Sequence, residues 1–177
     1  MEKRNGRQSN VYGATFEARG NYNRVFQVEA GITLQRSRYA NPVQWSEQLN
    51  GIRSYLRSPD TYGYFTSSLT PGSRFSASVS GIYTGTMNVP HYGLAGDPGT
   101  PEMDVLFRSP EFLEGNIKFA YIFNLKRLDT SLELSGGVNN FLNHYQDDFD
   151  TGRFRDSGFI YGPARPRTYF IGLRIFN

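Results

Sequence analysis

The last eleven residues, Arg167 to Asn177, alternate between two kinds of side chain almost to the final position of the chain. One phase of this alternation is apolar and consists of Tyr169, Ile171, Leu173 and Ile175. Because successive side chains of a strand point to opposite faces, the segment predicts a β-strand with one apolar face. Chain ends usually fray unless they are paired, so such a strand has to close against other structure. A β-barrel in an outer membrane is the simplest candidate.

The same alternation recurs earlier in the chain and predicts seven strands in all. They cover about residues 10–20, 25–35, 62–70, 74–84, 116–123, 131–139 and 167–177. The third is the weakest, because Gly63 and Ser67 share the phase of its apolar residues. Every strand charge falls in the polar phase, namely Glu17, Arg19, Glu29, Arg74, Lys118, Glu133 and Arg174. Lipid contact would enforce that sorting, since Arg or Lys facing lipid costs roughly 2 to 4 kcal/mol at the midplane.

The connections between these strands alternate in length. Short turns are predicted at residues 20–23, 70–73 and 124–129, and long loops at about 36–60, 85–111 and 144–166. In an up-and-down meander every long loop then lies on one rim, as in outer-membrane barrels, whose long loops are extracellular. Seven antiparallel strands do not close a barrel, and bacterial single-chain barrels use even numbers. We therefore expect part of a larger barrel, cut near its amino end.

Composition agrees with an all-β chain. Aromatic residues make up 15% of the sequence, mean hydropathy is −0.52, and no run approaches the ~20 apolar residues of a spanning helix. The net charge of +3 is spread over strand faces, which gives little support for nucleic-acid binding. There is no Cys, and hence no disulfide framework or thiolate site. The polar first ten residues lack the apolar core of a signal peptide.

A soluble β-sandwich or closed soluble barrel would carry the same alternation with its apolar face turned inward. Three features favour the membrane. The polar phase is richer in Ser, Thr, Gly, Asn and Gln than in Lys and Glu, and the long loops share one rim. Aromatic residues also recur near the predicted strand ends, as in interfacial girdles, at Tyr22, Phe75, Phe123, Tyr83 and Tyr169.

Two segments near the end of the chain resemble a known family. The stretch Gly136 to Gln146 (GGVNNFLNHYQ) contains an Asn-x-Phe-x-x-x-Tyr pattern formed by Asn139, Phe141 and Tyr145. The last strand is entered through a Pro-Arg-Thr-Tyr sequence that contains Pro166, Arg167 and Tyr169. Both resemble the carboxyl-terminal segment of the β-barrel of TonB-dependent outer-membrane receptors.

The resemblance implies an architecture and a transport role. Receptors of this family have a 22-stranded barrel plugged by an amino-terminal domain, so residues 1–177 would be a partial barrel domain with neither plug nor signal peptide. The implied function is uptake of a scarce nutrient such as a ferric siderophore, cobalamin or haem in a Gram-negative outer membrane. The implied partners are membrane lipid, the barrel assembly machinery, the small-molecule nutrient, and TonB through the missing plug. No cofactor is implied.

The chain departs from the family at its last residue. Barrels of this kind commonly end in an aromatic residue that is in phase with the apolar face. Counting in twos from Ile175 places Asn177 there, whereas Phe176 is out of phase. The end of the last strand is therefore expected to be a variant of the usual assembly signal.

Aromatic and cationic residues in the long loops are candidates for substrate capture by stacking and charge. They are Tyr39, Trp45, Arg53, Arg57, Tyr92, Arg108 and Tyr161. Ordinary loop packing is the competing explanation for each of them. Asp147, Asp148, Asp150 and Asp156 with His144 could form a cation site, but without the ligand order of an EF-hand a solvated acidic loop is favoured. Lys118 and Glu133, on neighbouring strands, could face the lumen as a salt bridge near the plug, which would be a structural role.

Two further functions are considered beside the receptor. A small self-contained β-barrel, soluble or in the outer membrane, could hold an apolar ligand. A membrane barrel enzyme would need a catalytic constellation, and no Ser, His and Asp arrangement with motif context occurs in the sequence. We therefore expect a chain that is not an enzyme.

Overall fold

The computed structural model describes residues 8–96 and 99–177, which contain ten β-strands. The expectation that the chain starts without a signal peptide falls largely on residues 1–7, outside the described part. The strands are β1 (Ser9–Tyr22), β2 (Phe26–Val43), β3 (Ile52–Ser54), β4 (Thr61–Leu69), β5 (Phe75–Thr84), β6 (Asn88–His91), β7 (Val105–Arg108), β8 (Phe112–Leu125), β9 (Thr130–Asn139) and β10 (Thr168–Phe176). No helix in the described residues is long and apolar enough to cross a membrane.

Seven strands form one antiparallel sheet in which each pairs with its neighbour in sequence. The order is β1-β2-β4-β5-β8-β9-β10, and the short strand β3 pairs with the far end of β2. These are the seven strands that the alternation predicts, and the weakest of them, β4, is confirmed. The sheet is not closed, since β1 and β10 each have a single neighbour among the described residues. An open antiparallel meander is thus the frame on which the loops are mounted.

The pairing register brings the apolar phases of all seven strands onto one side of the sheet. Residues directly opposite each other share a face, and one such row crosses five strands through Phe16, Ile32, Gly63, Tyr83 and Leu113. We call this side the apolar face. The four apolar residues of the last strand are 66–86% exposed on it.

The opposite side, the polar face, holds the strand charges of the seven-stranded sheet except Arg36 and Arg38, which lie in the apolar phase at the loop end of β2. Arg19 Nε lies 4.0 Å from a carboxylate oxygen of Glu29, and the Tyr64 hydroxyl donates to Glu29 at 3.0 Å and to Glu17 at 3.3 Å. The expected pairing of Lys118 with Glu133 is wrong. Lys118 lies opposite Gly137, four residues along β9 from Glu133, which corresponds to about 13 Å.

The three short turns lie at one rim of the sheet, as predicted. The first connection has three residues, Asn23 to Val25, and Asn23 and Arg24 at its centre have φ values of 49° and 60°, as in type I′ turns. The Val25 N–H donates to the Tyr22 carbonyl at 2.9 Å. The predicted position, residues 20–23, is too early, because β1 continues to Tyr22. Turn geometry that fits the right-handed twist of the strands decides this register.

Three long loops lie at the other rim, and we name them L1 (residues 44–60), L2 (residues 85–111) and L3 (residues 140–167). They are less irregular than expected. Strand β2 runs on to Val43 through Pro42, and its pairing with β3 shifts register between Arg38 and Val43. A proline is tolerated at such an irregularity because the N–H that it lacks is not required where the ladder shifts register. L2 contains a hairpin of β6 and β7 that period-two analysis does not predict.

The last strand keeps the predicted phase to its end. Ile175 lies opposite Leu132 on the apolar face, and Phe176 lies opposite Ser131 on the polar face. The Arg174 guanidinium carbon stands 5.1 Å from the centroid of the Phe176 ring. Phe176 therefore contributes to the polar face.

Candidate functional site: the loop cap

The three long loops pack against one another, and we call this unit the loop cap. L1 joins L2 through Asn88, whose carbonyl accepts the Arg57 N–H at 2.8 Å and whose side-chain amide donates to Ser54 Oγ at 2.8 Å. Leu56 and Asn88 also form an isolated parallel β-bridge. The strand β6 is thereby held beside L1.

L2 joins L3 through a buried pair of side chains. His91 Nε2 lies 2.9 Å from both carboxylate oxygens of Asp150, and the two side chains are only 13% and 7% exposed. The His91 ring also stacks on Phe159, with centroids 3.6 Å apart and planes 7° from parallel. The Tyr92 N–H donates to Asp156 at 3.0 Å. The loops are thus joined by polar and aromatic contacts together.

The aspartates of L3 bond mainly to groups of the cap itself. Asp150 accepts the Asp156 N–H as well as His91, and Asp156 accepts the N–H groups of Tyr92 and Gly158. Asp148 accepts the Tyr161 hydroxyl. Among residues 8–96 and 99–177, no group of three or more His, Cys, Asp or Glu side chains is placed to hold a metal ion. The expectation of a solvated acidic loop fits exposed Asp147 and Asp148, whereas Asp150 is enclosed.

An apolar core fills the space between L2, L3 and the start of β8. It consists of Val89, Phe112, Phe159 and Tyr161, with Met87 and Phe107 packed against it. Burial raises the pKa of the Tyr161 phenol well above its usual range, and the hydrogen bond to the Asp148 carboxylate adds to that rise. The sequence predicts Tyr161 as a residue that captures substrate, but its ring packs inside this core.

Gln146 is the polar centre of L3. It is 1% exposed, and its amide nitrogen donates to the Phe159 carbonyl at 3.0 Å. Its amide oxygen accepts the N–H groups of Tyr161 at 2.9 Å and Gly162 at 3.2 Å. Backbone groups that no strand pairs are thus satisfied by one side chain, as buried polar groups require. Sequence reasoning missed Gln146, because nothing in a loop sequence marks a glutamine as buried.

The residues of the family resemblance lie where β9 leaves the sheet and β10 enters it. Asn140 is buried with φ 49°, and its amide nitrogen donates to the carbonyls of His144 and Arg165 at 3.0 Å each. Asn139, the residue named by the pattern, is exposed. Phe141 folds back over β8, where a Cβ on Gly115 would stand 2.4 Å from its ring. Two adjacent Asn residues after a strand are a turn signal that could have indicated Asn140.

The predicted capture residues other than Tyr161 are more accessible but are not gathered in one pocket. Trp45 and Tyr92 are 42% and 39% exposed, and Arg53, Arg57 and Arg108 are exposed. A small polar cleft of about 40 Å³ lies between β2, β3 and L2, with Arg108 the only one of the seven candidates on its wall. Arg38, which the sequence did not single out, lines the same cleft. A role in substrate capture remains a prediction for each of the candidate residues.

Comparison with known proteins finds solved structures that share this fold. No protein-family model matches the chain, and no curated protein matches it. The sheet matches the solved closed form of the ferric-catecholate import receptor Fiu from E. coli K12, with 22% identity and a TM-score of 0.64. It also matches FpvA of P. aeruginosa in complex with a pyoverdine and iron, with 16% identity and a TM-score of 0.62. The open form of Fiu gives 21% identity and a TM-score of 0.57.

These matches cover 95% of this chain but only 20–21% of the receptor chains. The chain thus spans about a fifth of their length. The fold class and the resemblance seen in the sequence are confirmed at the level of fold, because the sheet is built like part of the barrel of these TonB-dependent receptors.

Proposed function

We propose that this chain is the carboxyl-terminal barrel segment of an outer-membrane receptor that imports a scarce nutrient. The partial barrel domain covers residues 1–177, the parent protein lies in the outer membrane of a Gram-negative bacterium, and a plug domain couples import to TonB. A ferric siderophore is the favoured substrate, since Fiu is a ferric-catecholate import receptor and FpvA binds iron with pyoverdine. The apolar face would meet lipid, and the loop cap would be extracellular.

The observation that supports this proposal most strongly is the combined register and loop arrangement. All seven apolar phases share one face, the only strand charges in that phase among the described residues are Arg36 and Arg38 at the loop end of β2, and the three long loops gather at a single rim. Lipid contact requires a charge-free outer face, and receptors need an enlarged binding surface on the external side only. The observed arrangement of the sheet and its loops meets both requirements.

The alternative, a small self-contained barrel that holds an apolar ligand, fits the sheet less well. Such a barrel needs its two edge strands to pair and its apolar face to enclose a cavity. Here β1 and β10 are the opposite ends of the sheet, and the residues of the apolar face are widely exposed. In lipid, unpaired strand edges cost several kcal/mol for each polar backbone group, so further strands are expected on both sides.

The exposed cations of the cap suit an anionic ferric chelate. Arg108 donates to Thr86 Oγ1 at 2.8 Å, which fixes its guanidinium at the wall of the polar cleft. Arg53 and Arg57 lie on L1, and Trp45 and Tyr92 add exposed rings that could stack on a planar or aromatic part of a ligand. We propose Tyr39, which contacts Tyr55 with ring centroids 4.6 Å apart, as a packing partner at the edge of this surface.

Fluorescence of Trp45, the only tryptophan, tests capture directly. The chain refolded in detergent is titrated with a ferric catecholate, a ferric pyoverdine, cobalamin and haemin. We expect one of the ferric siderophores to quench Trp45, and Arg108→Gln to weaken that binding roughly 10-fold or more, as for a lost charged hydrogen bond. Arg127→Gln, in the short turn at the opposite rim, is the matched control. Quenching by none of the four, or equal effects of both variants, would contradict the proposal.

A further inference from the structure

Arg38 is a charge in the apolar phase of β2 that contact with lipid does not explain. The last pair between β2 and β4 joins Leu34 to Thr61, so Arg38 lies four residues beyond it, or about 13 Å toward the loop cap. There β3 takes the place of β4 beside β2, and Arg38 is half-buried. The residue therefore belongs to the cap and not to the part of the sheet that would meet lipid.

A row of polar side chains leads from Arg38 to Arg108 across four strands. Arg38 lies opposite Ser54 of β3, and Arg108 of β7 lies opposite Asn88 of β6. Residues directly opposite each other share a face. The Asn88 amide donates to Ser54 Oγ at 2.8 Å, which joins the two pairs. Both arginines line the polar cleft of about 40 Å³, from the two ends of this row.

The two guanidinium groups of this cleft have N–H donors to spare. Arg108 donates to Thr86 Oγ1 at 2.8 Å, and the Arg38 guanidinium has no hydrogen-bond partner within residues 8–96 and 99–177. In the same part of the chain neither arginine forms a salt bridge, although Asp60 also lies on the cleft wall. Two guanidinium groups and one carboxylate leave the cleft with one net positive charge.

We propose that the polar cleft binds one carboxylate group of the imported ferric chelate. The inference rests on the receptor role proposed above and adds a substrate class, namely chelates that carry a free carboxylate beside their iron-binding groups. The planar fork of a guanidinium matches the bidentate geometry of a carboxylate. The single net positive charge of the cleft matches the single negative charge of that group.

The size of the cleft favours a carboxylate over larger groups. One water molecule needs about 10 to 15 Å³, so a cleft of about 40 Å³ admits roughly three or four non-hydrogen atoms. A carboxylate has that size, a phosphate group is larger, and the ring of a catechol is too large to enter. Asp60 would also repel a doubly charged phosphate more strongly than a carboxylate. The iron centre of the chelate therefore stays outside the cleft.

Acetate is a small probe of a carboxylate site, and acetamide has nearly the same shape without the charge. The chain is refolded in detergent with isotope-labelled arginines and titrated with acetate, acetamide and phosphate at constant ionic strength. The Nε resonances of Arg38 and Arg108 report binding at the cleft. Arg38→Gln removes one of its guanidinium groups. Arg36→Gln is the matched control, because Arg36 is exposed on the same strand and does not line the cleft.

We expect acetate to shift both resonances and acetamide to shift neither. In Arg38→Gln the dissociation constant for acetate, read at Arg108, should rise about tenfold, as for a lost charged hydrogen bond. Arg36→Gln should leave that constant unchanged. Asp60→Asn removes the opposing carboxylate and should lower the constant about threefold, because one repulsive charge is lost. Such a gain in affinity cannot result from a loss of folding.

Equal shifts with acetate and acetamide, tighter binding of phosphate than of acetate, or equal effects of Arg38→Gln and Arg36→Gln would each overturn the carboxylate site. The proposed receptor role fails separately. If a ferric siderophore quenches Trp45 but acetate does not bind, the inference about the cleft alone is wrong. If acetate binds and none of the four ligands quenches Trp45, the cleft is an anion site that does not serve import, and the assigned substrate class is wrong.

Discussion

Replacing Gln146 with methionine should loosen L3 while leaving the sheet intact. Methionine has nearly the same length and can fill the same volume, so the change removes hydrogen bonding with little loss of packing. Three backbone groups lose their partner, namely the Phe159 carbonyl and the N–H groups of Tyr161 and Gly162. Because Gln146 is 1% exposed, water does not replace the missing amide without opening the loop.

The size of the effect follows from those three bonds. A typical hydrogen bond contributes about 1 kcal/mol net, and leaving a buried partner unsatisfied costs about 1 to 3 kcal/mol. The two N–H groups share one acceptor, so the losses are not independent, and we expect a total of about 3 kcal/mol. This corresponds to a rise of roughly 10²-fold in the equilibrium constant for local opening, at about 1.4 kcal/mol per tenfold.

Native-state hydrogen exchange at the amides of Tyr161 and Gly162 measures that opening directly. Their exchange should become about 10²-fold faster in Gln146→Met, while amides in the centre of β8 and β9 keep their protection. Gln48→Met is the matched control, since Gln48 is exposed in L1. If exchange at the two amides changes by less than threefold, or if Gln48→Met has the same effect, Gln146 does not hold L3 together.

Two further predictions concern L3. Gly115→Val should weaken the junction of L3 with β8 by about 1 to 3 kcal/mol, because the new side chain overlaps the Phe141 ring. Proteolysis of L3 should therefore become faster. Gly72→Val is the control and should have no such effect, because a Cβ at Gly72 meets nothing within 4 Å. The raised pKa of Tyr161 means that its neutral form is favoured in the cap. Its contribution is complete below about pH 10, the ordinary value for tyrosine, and is lost as the pH rises above that. Near-ultraviolet circular dichroism should show an alkaline loss of cap structure that Tyr161→Phe shifts or removes, and a transition unchanged by this variant would refute the assignment.

The sheet is predictable from the sequence because its main signal is local. A two-residue period assigns Phe26, Ala30 and Leu34 to one face without knowledge of their partners. Turn signals then order the strands, since neighbours in sequence are neighbours in the sheet. Strand β4 is weak in the sequence because Gly63 and Ser67 give no apolar side chain to the phase of Phe65 and Leu69. Beyond Leu34 the alternation stops being apolar, so the extension of β2 to Val43 carries no period-two signal.

The contacts of the loop cap are not predictable in the same way. His91 and Asp150 are 59 residues apart, and Asn88 and Ser54 are 34 apart. Which polar residues are buried depends on such contacts. The composition of a loop does not show which of its residues will lie against a residue of another loop. The expected contact of Lys118 with Glu133 failed for a related reason, since adjacency of two strands does not fix which residues face each other. Asn140 likewise bonds to Arg165 and Gln146 to Phe159, across 25 and 13 positions of the chain.

The meander and the loop cap differ in how far apart along the chain their contacts lie, and this has a consequence for the order of folding. Three of the six connections of the sheet are short turns, and the entropic cost of closing the three long loops grows only slowly with their length, so the sheet can grow one strand at a time. The bond between His91 and Asp150 cannot form until β8 and β9 have brought L2 and L3 to the same rim. Formation of the cap is therefore a late event that marks a correctly registered sheet. A slipped strand would leave His91 and Asp150 apart and the loops open to proteases.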